Sequence, residues 1–242
     1  MEKRVPEQPV SRAALTCRLG LISFPEALEL ERRLLKMRAR EKISDIFLIF
    51  EHPPTVTLGR FGNIKNVLAT REELEKKGIA LYDADRGGDV TYNCPGQLVI
   101  HPIISVKLKG ARAFIGELEE VSLCVLRSYN IPAERSPIHP GIWVKGKQIG
   151  AVGLRFSRGV SMYGMSLSVN PDLELFKVVN LCGLPDKSAT SIAKELSSEV
   201  SVDEVKSRVE AAFSGVFQVS LSPISRVELD KLIREHEQAK DS

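Results

Sequence analysis

The apolar positions of the chain fall into short runs whose spacing changes from segment to segment. Residues 13–22 (AALTCRLGLI) read as an apolar strand, and Phe24 to Arg40 as a helix with Leu28, Leu30, Leu34 and Leu35 near helical spacing. The almost unbroken run DIFLIFEH, from Asp45, predicts a buried strand. TVTLGR is another strand after the His52-Pro53-Pro54 turn. Thr70 with Glu73 three residues on is a capping box, and Gly78 closes that helix. IALYDAD is then a strand. A glycine-bearing loop, RGGD, sits among β-rich segments that run to Leu108. FIGELEEVSLCVLRSYN reads as an amphipathic helix with Leu118, Val121, Val125 and Leu126 on its apolar face, so Cys124 is expected in the core. GIWVKGKQIGAVGLRFS predicts a hairpin turning at Lys145-Gly146-Lys147, followed by a strand, SMYGMSLSVN. PDLELFKVV reads as a short helix, and residues 201–217 and 224–238 as two amphipathic helices.

Strands and helices are mixed without regular βαβ alternation, so the expected class is α+β, a mixed β-sheet flanked by helices. The expected organisation is one domain over residues 13–220, a polar segment at 1–12, and a C-terminal helix with a polar tail at 221–242. A chain of 242 residues with 43% hydrophobic and 27% charged residues suits one such domain.

Charge changes little in this picture. The 34 basic and 31 acidic residues leave a formal charge of +3, too balanced for a nucleic-acid binder. No apolar run reaches the roughly 18 residues of a membrane span, and the polar N-terminus lacks a signal-peptide core. The expectations are therefore no nucleic acid, no membrane and a cytoplasmic location, in which Cys17, Cys94, Cys124 and Cys182 are free thiols. Their spacing holds no CxxC pair that would point to a metal.

Two stretches can carry chemistry. Between Arg86 and Gln97, Gly87 and Gly88 permit positive φ and close backbone approach, and Pro95-Gly96 forces a turn, as in a pocket wall or a plain structural hairpin. In Asn180-Leu181-Cys182-Gly183-Leu184-Pro185 a cysteine sits in a turn beside a glycine. That placement can expose the sulfur for nucleophilic work, although burial is the commoner fate of a free thiol.

These stretches bring in a family. HPPTVTLGR, RGGDVTYNCPGQ, GIWVKGKQIGAVGLRFSRG and NLCGLPDKSATSI, in this order and spacing, resemble the octanoyltransferases of lipoate assembly from about Leu15 to Ala212. The resemblance implies a fold similar to that of biotin and lipoate protein ligases. It implies transfer of an octanoyl group from octanoyl-acyl-carrier protein to Cys182 as a thioester, then to a lysine of a lipoyl domain. Such domains include the glycine-cleavage H protein and subunits of 2-oxoacid dehydrogenases. No cofactor, ATP or metal is implied, because the thioester is already activated. The implied pocket is lined by Arg86, Gly87, Gly88, Asp89, Val90, Thr91, Tyr92 and Asn93, by Ala151, Val152 and Gly153, and by Gly164, Met165 and Ser166. Small residues there leave room for an acyl chain and offer backbone N–H groups to its carbonyl oxygen.

The chain departs from the family pattern at four positions. Gln148 stands where the family has a lysine beside its cysteine, and Asn93, Cys94 and Tyr163 replace a histidine, a glycine and a histidine. Glutamine donates and accepts hydrogen bonds but takes no proton at neutral pH. Gln148 is kept as the second catalytic position. Lys147, on the opposite strand face, reaches the site only if a bulge re-aims it. Cys94 is expected to be inert, and His139 a solvent-facing turn residue. Two further readings stay open: an altered paralogue that binds lipoyl domains or acyl-carrier protein without chemistry, and an ATP-dependent lipoate ligase.

Overall fold

The computed structural model describes residues 12–106, 110–136 and 140–238. The apolar run becomes β2 (Asp45–Glu51), buried over all but its last residue. Successive side chains of a strand point to opposite faces, so β2 feeds two cores. Phe47 and Ile49 join one cluster with Leu118, Phe213 and Phe217, whereas Ile46, Leu48 and Phe50 join another with Leu30, Leu34, Leu229 and Ile233. Helices α3 (Ala111–Ser128) and α5 (Val202–Phe217) supply the first, and α1 (Phe24–Ala39) and α6 (Arg226–Gln238) the second.

The remaining strands of this sheet are β1 (Arg12–Leu21), β6 (Gln97–Ile103), β7 (Glu134–Arg135), β8 (Gly141–Val144), β9 (Lys147–Ser157), β10 (Val160–Ser168) and β11 (Val219–Pro223). Their order is β11-β1-β2-β6-β10-β9-β8-β7. The β11–β1 and β1–β2 pairs are parallel, and the pairs from β2–β6 onward are antiparallel. A smaller sheet, ordered β4-β3-β5, is built from β3 (Thr55–Leu58), β4 (Ala80–Asp83) and β5 (Val90–Asn93). With α2 (Arg71–Lys76) and the 3-10 turns at Leu173–Val178 and Leu181–Gly183 it closes a third apolar cluster. The fold is thus the expected α+β class, a mixed sheet flanked by helices. A short α4 (Ile192–Leu196) precedes α5.

Several local expectations change. PDLELFKVV forms a 3-10 turn over Leu173–Val178 rather than an α-helix. β11, absent from the sequence reading, pairs with β1 through Arg12↔Val219 and its neighbours. Residue 220 therefore lies inside a strand of the main sheet, and α6 buries Leu229 and Ile233 completely. Cys124 is half-buried, not core. It lies at the edge of the α3 stripe, where Arg127 Nη2 donates to its sulfur at 3.1 Å. The hairpin turns on two residues, Lys145 (φ 48°) and Gly146 (φ 75°), with Val144 facing Lys147. Two consecutive positive φ values match the right-handed twist of the flanking strands.

Candidate active site

The chain that follows Cys182 returns to pair with the start of β9. Gln148 N donates to Ser188 O at 2.9 Å, Thr190 N donates to Gln148 O at 2.8 Å, and Gln148 bridges Ala189 in parallel. This short splice brings the two positions together: Gln148 Nε2 donates to Cys182 Sγ at 3.2 Å. Gln148 is buried and Lys147 exposed. A bulge does occur here, because Trp143 faces Gln148 while Ile142 faces Gly150, leaving Ile149 extra. It lies beyond Lys147 and leaves that side chain in solvent. What it does is reverse the alternation, so that Gln148 and Ala151, of opposite parity in the sequence, line the same cleft.

Cys182 itself sits in the left-handed region, at φ 54°, a conformation uncommon for a side-chain-bearing residue and frequent at functional sites. Gly183 follows at φ 74°, and a Cβ there would stand 2.6 Å from Asp89 Oδ2, so only glycine fits the turn. Asp89 accepts from Asn66 Nδ2 at 2.7 Å and from Asn63 N at 3.1 Å, and Asn180 N donates to Asn66 O at 2.8 Å, which ties the 63–66 turn to the cysteine turn. Burial pushes the Cys182 thiol above its ordinary value, the Gln148 N–H and the Arg86 charge pull it down, and Asp89 pushes it up.

Arg86 is 8% exposed and holds the wall of the cleft. Its Nη2 donates to Thr57 O at 3.0 Å and Oγ1 at 2.7 Å, and its Nη1 to Gly87 O at 2.9 Å. Burial lowers its pKa to about 10, so it stays cationic at neutral pH and its charge favours the Cys182 thiolate. Asn93 is held by its neighbour: its Nδ2 donates to Gln97 Oε1 at 2.9 Å, and Gln97 Nε2 to Ser168 Oγ at 3.4 Å.

The cleft has two lobes that share Thr91, Ala151 and Ser166. The inner lobe takes Arg86, Asn93, Gly153, Gly164 and Met165 from the sequence-read residues, and the outer lobe takes Val90, Tyr92 and Gln148. Gly87, Gly88, Asp89 and Val152 line neither lobe. Gly87 serves the fold instead, its N–H donating to Leu154 O, and Gly88 O accepts from Phe61 N. The smallness of Gly164 has a packing cause, since a Cβ there would lie 2.1 Å from Ile100 O of β6. At Gly153 the space is taken by Arg86, whose Cδ is 3.0 Å from the site of a Cβ. Ser166 Oγ is buried without a hydrogen-bond partner, an uncommon condition for a hydroxyl and one that a ligand oxygen facing both lobes would relieve.

The inner lobe is also lined by Tyr163, one of the four departures seen in the sequence, and by Phe24, His52 and His101, which were not read as pocket residues. His101 Nδ1 lies 2.5 Å from Glu31 Oε1, and Glu31 Oε2 accepts from Tyr163 N at 3.0 Å. Tyr163 is itself left-handed, at φ 59°, and its hydroxyl donates to Asp85 Oδ1 at 2.7 Å. His52 Nδ1 pairs with Ile22 O at 2.6 Å, and burial lowers its pKa to about 4. Phe24, His52 and His101 lie far apart in the chain and left no local pattern to find. His139 lies outside the described residues.

The sequence and the fold that carry this site both have known counterparts. The lipoyl protein ligase A/B catalytic domain matches residues 23–214. The octanoyltransferase of Alkaliphilus metalliredigens is 39% identical over 206 residues, 84% of this chain and 94% of its own length. That of Dictyoglomus thermophilum is 40% identical over 188 residues, 78% of this chain and 80% of its own. The chain belongs to the octanoyltransferase family. Solved structures place that family assignment on a known fold. Lipoate-protein ligase A bound with ATP superposes with a TM-score of 0.72 at 16% identity, covering 93% of each chain. A bi-partite lipoate protein ligase from Thermoplasma acidophilum gives 0.71 at 16% identity, covering 93% of this chain and 91% of that one. Among the described residues of this octanoyltransferase-family chain, no helix is long and apolar enough to cross a membrane.

Proposed function

We propose that the chain transfers an octanoyl group from octanoyl-acyl-carrier protein, through a thioester on Cys182, to a lysine of a lipoyl-domain protein. The observation that carries this reading is the 3.2 Å hydrogen bond from Gln148 Nε2 to Cys182 Sγ. A cysteine in a strained turn meets, across the fold, the strand position where the resemblance expects its partner.

In the first step the Cys182 sulfur attacks the thioester carbonyl carbon. The new S–C bond forms, the carrier's C–S bond breaks, and the thiol proton of Cys182 leaves with the carrier thiolate. In the second, the acceptor's neutral lysine amine attacks the acyl-enzyme, loses a proton, and expels Cys182 as the thiolate that recovers it. A thioester is activated enough that neither step consumes ATP. Gln148 and Arg86 stabilise the thiolate by an N–H donor and a charge. The unpaired Ser166 hydroxyl is available to the acyl oxygen, and the inner lobe to the chain. Lipoyl-domain proteins such as the glycine-cleavage H protein, or 2-oxoacid dehydrogenase subunits, are the acceptors, and the reaction belongs to the cytoplasm.

A second reading, a paralogue that binds lipoyl domains or acyl-carrier protein without turnover, is favoured by one observation. Gln148 takes no proton, and burial holds the Cys182 thiol above its ordinary value. Intact-mass measurement after incubation with octanoyl-acyl-carrier protein separates the two. An octanoyl adduct on the wild type that disappears in Cys182→Ser, by a factor on the order of 1000 or more in rate, is expected. An adduct that survives that substitution sinks the site assignment, and no adduct on the folded wild type favours the binding module.

A further inference from the structure

Large apolar side chains on the surface are scattered in most proteins, but here they gather beside the cysteine turn. Among the described residues Phe61, Ile64 and Leu68 are 79%, 55% and 57% exposed, and the other two so exposed, Leu21 and Val227, lie in separate elements. The segment that carries the three is not a frayed loop. Its backbone is fixed by Arg60 N to Arg86 O at 2.9 Å, Phe61 N to Gly88 O at 3.3 Å and Leu68 N to Val178 O at 2.8 Å. Asn180 N donates to Asn66 O at 2.8 Å, so the segment touches the turn of Cys182 two residues before the sulfur. A rigid scaffold therefore displays a ridge of apolar groups at the rim of the site, as an interaction surface does.

The ridge segment's own charges are basic, while Asp89 bonds to Asn63 and Asn66 within it and Glu72 and Glu73 follow it in the chain. Residues 59–71 contain Arg60, Lys65 and Arg71 and no acidic residue. All three are exposed, and among the described residues none forms an ion pair. On the other side of the cysteine turn Lys147 and Lys187 are also exposed, with Asp186 the acidic neighbour.

We propose that the Phe61–Leu68 ridge is the seat of the acceptor protein, a small domain with an apolar patch set in acidic surface that presents its lysine to Cys182. The proposal rests on the transfer reading above and deepens it. Reach decides which of the two protein substrates sits here. A lysine amine extends only about 6 Å from its Cα, five bonds of roughly 1.5 Å bent at tetrahedral angles. The acceptor backbone must therefore come down onto the residues that flank Cys182. Apolar contact supplies the affinity there, and the basic rim steers an acidic partner and orients it.

The test uses the full chain as wild type, Phe61→Ser, Leu68→Ser and Lys65→Glu, three positions so that one misfolded variant does not end it. Thermal midpoints exclude misfolding. Affinity for an apo lipoyl domain and formation of the octanoyl adduct from octanoyl-acyl-carrier protein are measured separately. Each variant is expected to weaken the domain roughly tenfold and leave adduct formation within about twofold, and the loss in Lys65→Glu shrinks as salt is added. Unchanged domain affinity overturns the proposal, as does a wild type that does not bind the domain. An equal loss in adduct formation also overturns it, assigning the ridge to the donor. Ridge-dependent binding by a wild type that forms no adduct sinks the transfer reading and leaves the docking surface standing.

Discussion

Two glycine turns of this molecule each hold a cysteine, and they differ in what surrounds the sulfur. In the turn after β5, Cys94 is 2% exposed and packs with Tyr92, Phe176 and Leu181 in the third apolar cluster. Burial pushes its thiol up to about 12, the Tyr92 hydroxyl pulls it down, and the Asp172 and Glu51 charges add to the rise. In the turn after the 3-10 segment, Cys182 is only partly buried, and it meets a side-chain N–H and a guanidinium charge. Both sulfurs lose hydration, but Cys94 faces a phenol hydroxyl and two carboxylates, whereas Cys182 faces an amide N–H and a guanidinium beside one carboxylate. A thiol becomes a nucleophile through the groups that stabilise its thiolate, and a turn beside a glycine does not supply them.

The largest test of that contrast beyond the nucleophile itself is Gln148. Gln148→Leu removes the N–H that reaches Cys182 and is expected to slow adduct formation by roughly 10- to 100-fold, the cost of a hydrogen bond to a charged group. Gln148→Lys places a cation there instead and should quicken it by about tenfold, one pKa unit in the thiol. Single-turnover rates of octanoyl adduct formation check both, and equal rates in all three proteins would show that Cys182 needs no partner at this position.

Alkaline stability sharpens the other half of the comparison. The folded thiol of Cys94 is raised above its unfolded value near 9, so the folded state holds its proton more tightly. The stabilisation is fully present below pH 9 and is lost as pH rises toward 12. Denaturant unfolding from pH 8 to 11 should show a steeper decline in the wild type than in Cys94→Ala, and parallel curves would contradict the assigned burial. The smallest expected effect is on chemistry. Cys94→Ala should form the octanoyl adduct within about twofold of the wild-type rate, since the group it removes is neutral and dry. Loss of the adduct in Cys94→Ala alone would reverse the comparison.

Much of this contrast is invisible in one dimension. Cys94 and Cys182 both stand in Pro- and Gly-bearing turns, and the sequence separated them only through the glycine directly beside Cys182 and through family resemblance. Gln148 and Lys147 illustrate the limit further. Strand alternation correctly kept Lys147 off the site, yet the same rule would set Gln148 and Ala151 on opposite faces. The extra Ile149 puts them on one. The glycines show the reverse error of reading function into smallness: Gly164 makes way for the Ile100 carbonyl of β6 and Gly153 for Arg86. Of the residues that complete the inner lobe only Tyr163 was marked by the sequence; Phe24, His52 and His101 come from separate parts of the chain.

What the sequence determined by itself is local and periodic. The buried run of β2, the capping box of Thr70 and Glu73, the helical stripes and the β8–β9 turn follow from spacing and residue type, and motif order identified the family. The tertiary structure decided the rest. It folded β11 into the sheet, bonded Gln148 to Cys182, tied the 63–66 turn to Asp89 and to Asn180 of the cysteine turn, and set Phe61, Ile64 and Leu68 along the rim. The physical reason is range: periodicity and capping act over a few residues, whereas a thiol's chemistry is set by whichever groups the fold brings within about 4 Å of it.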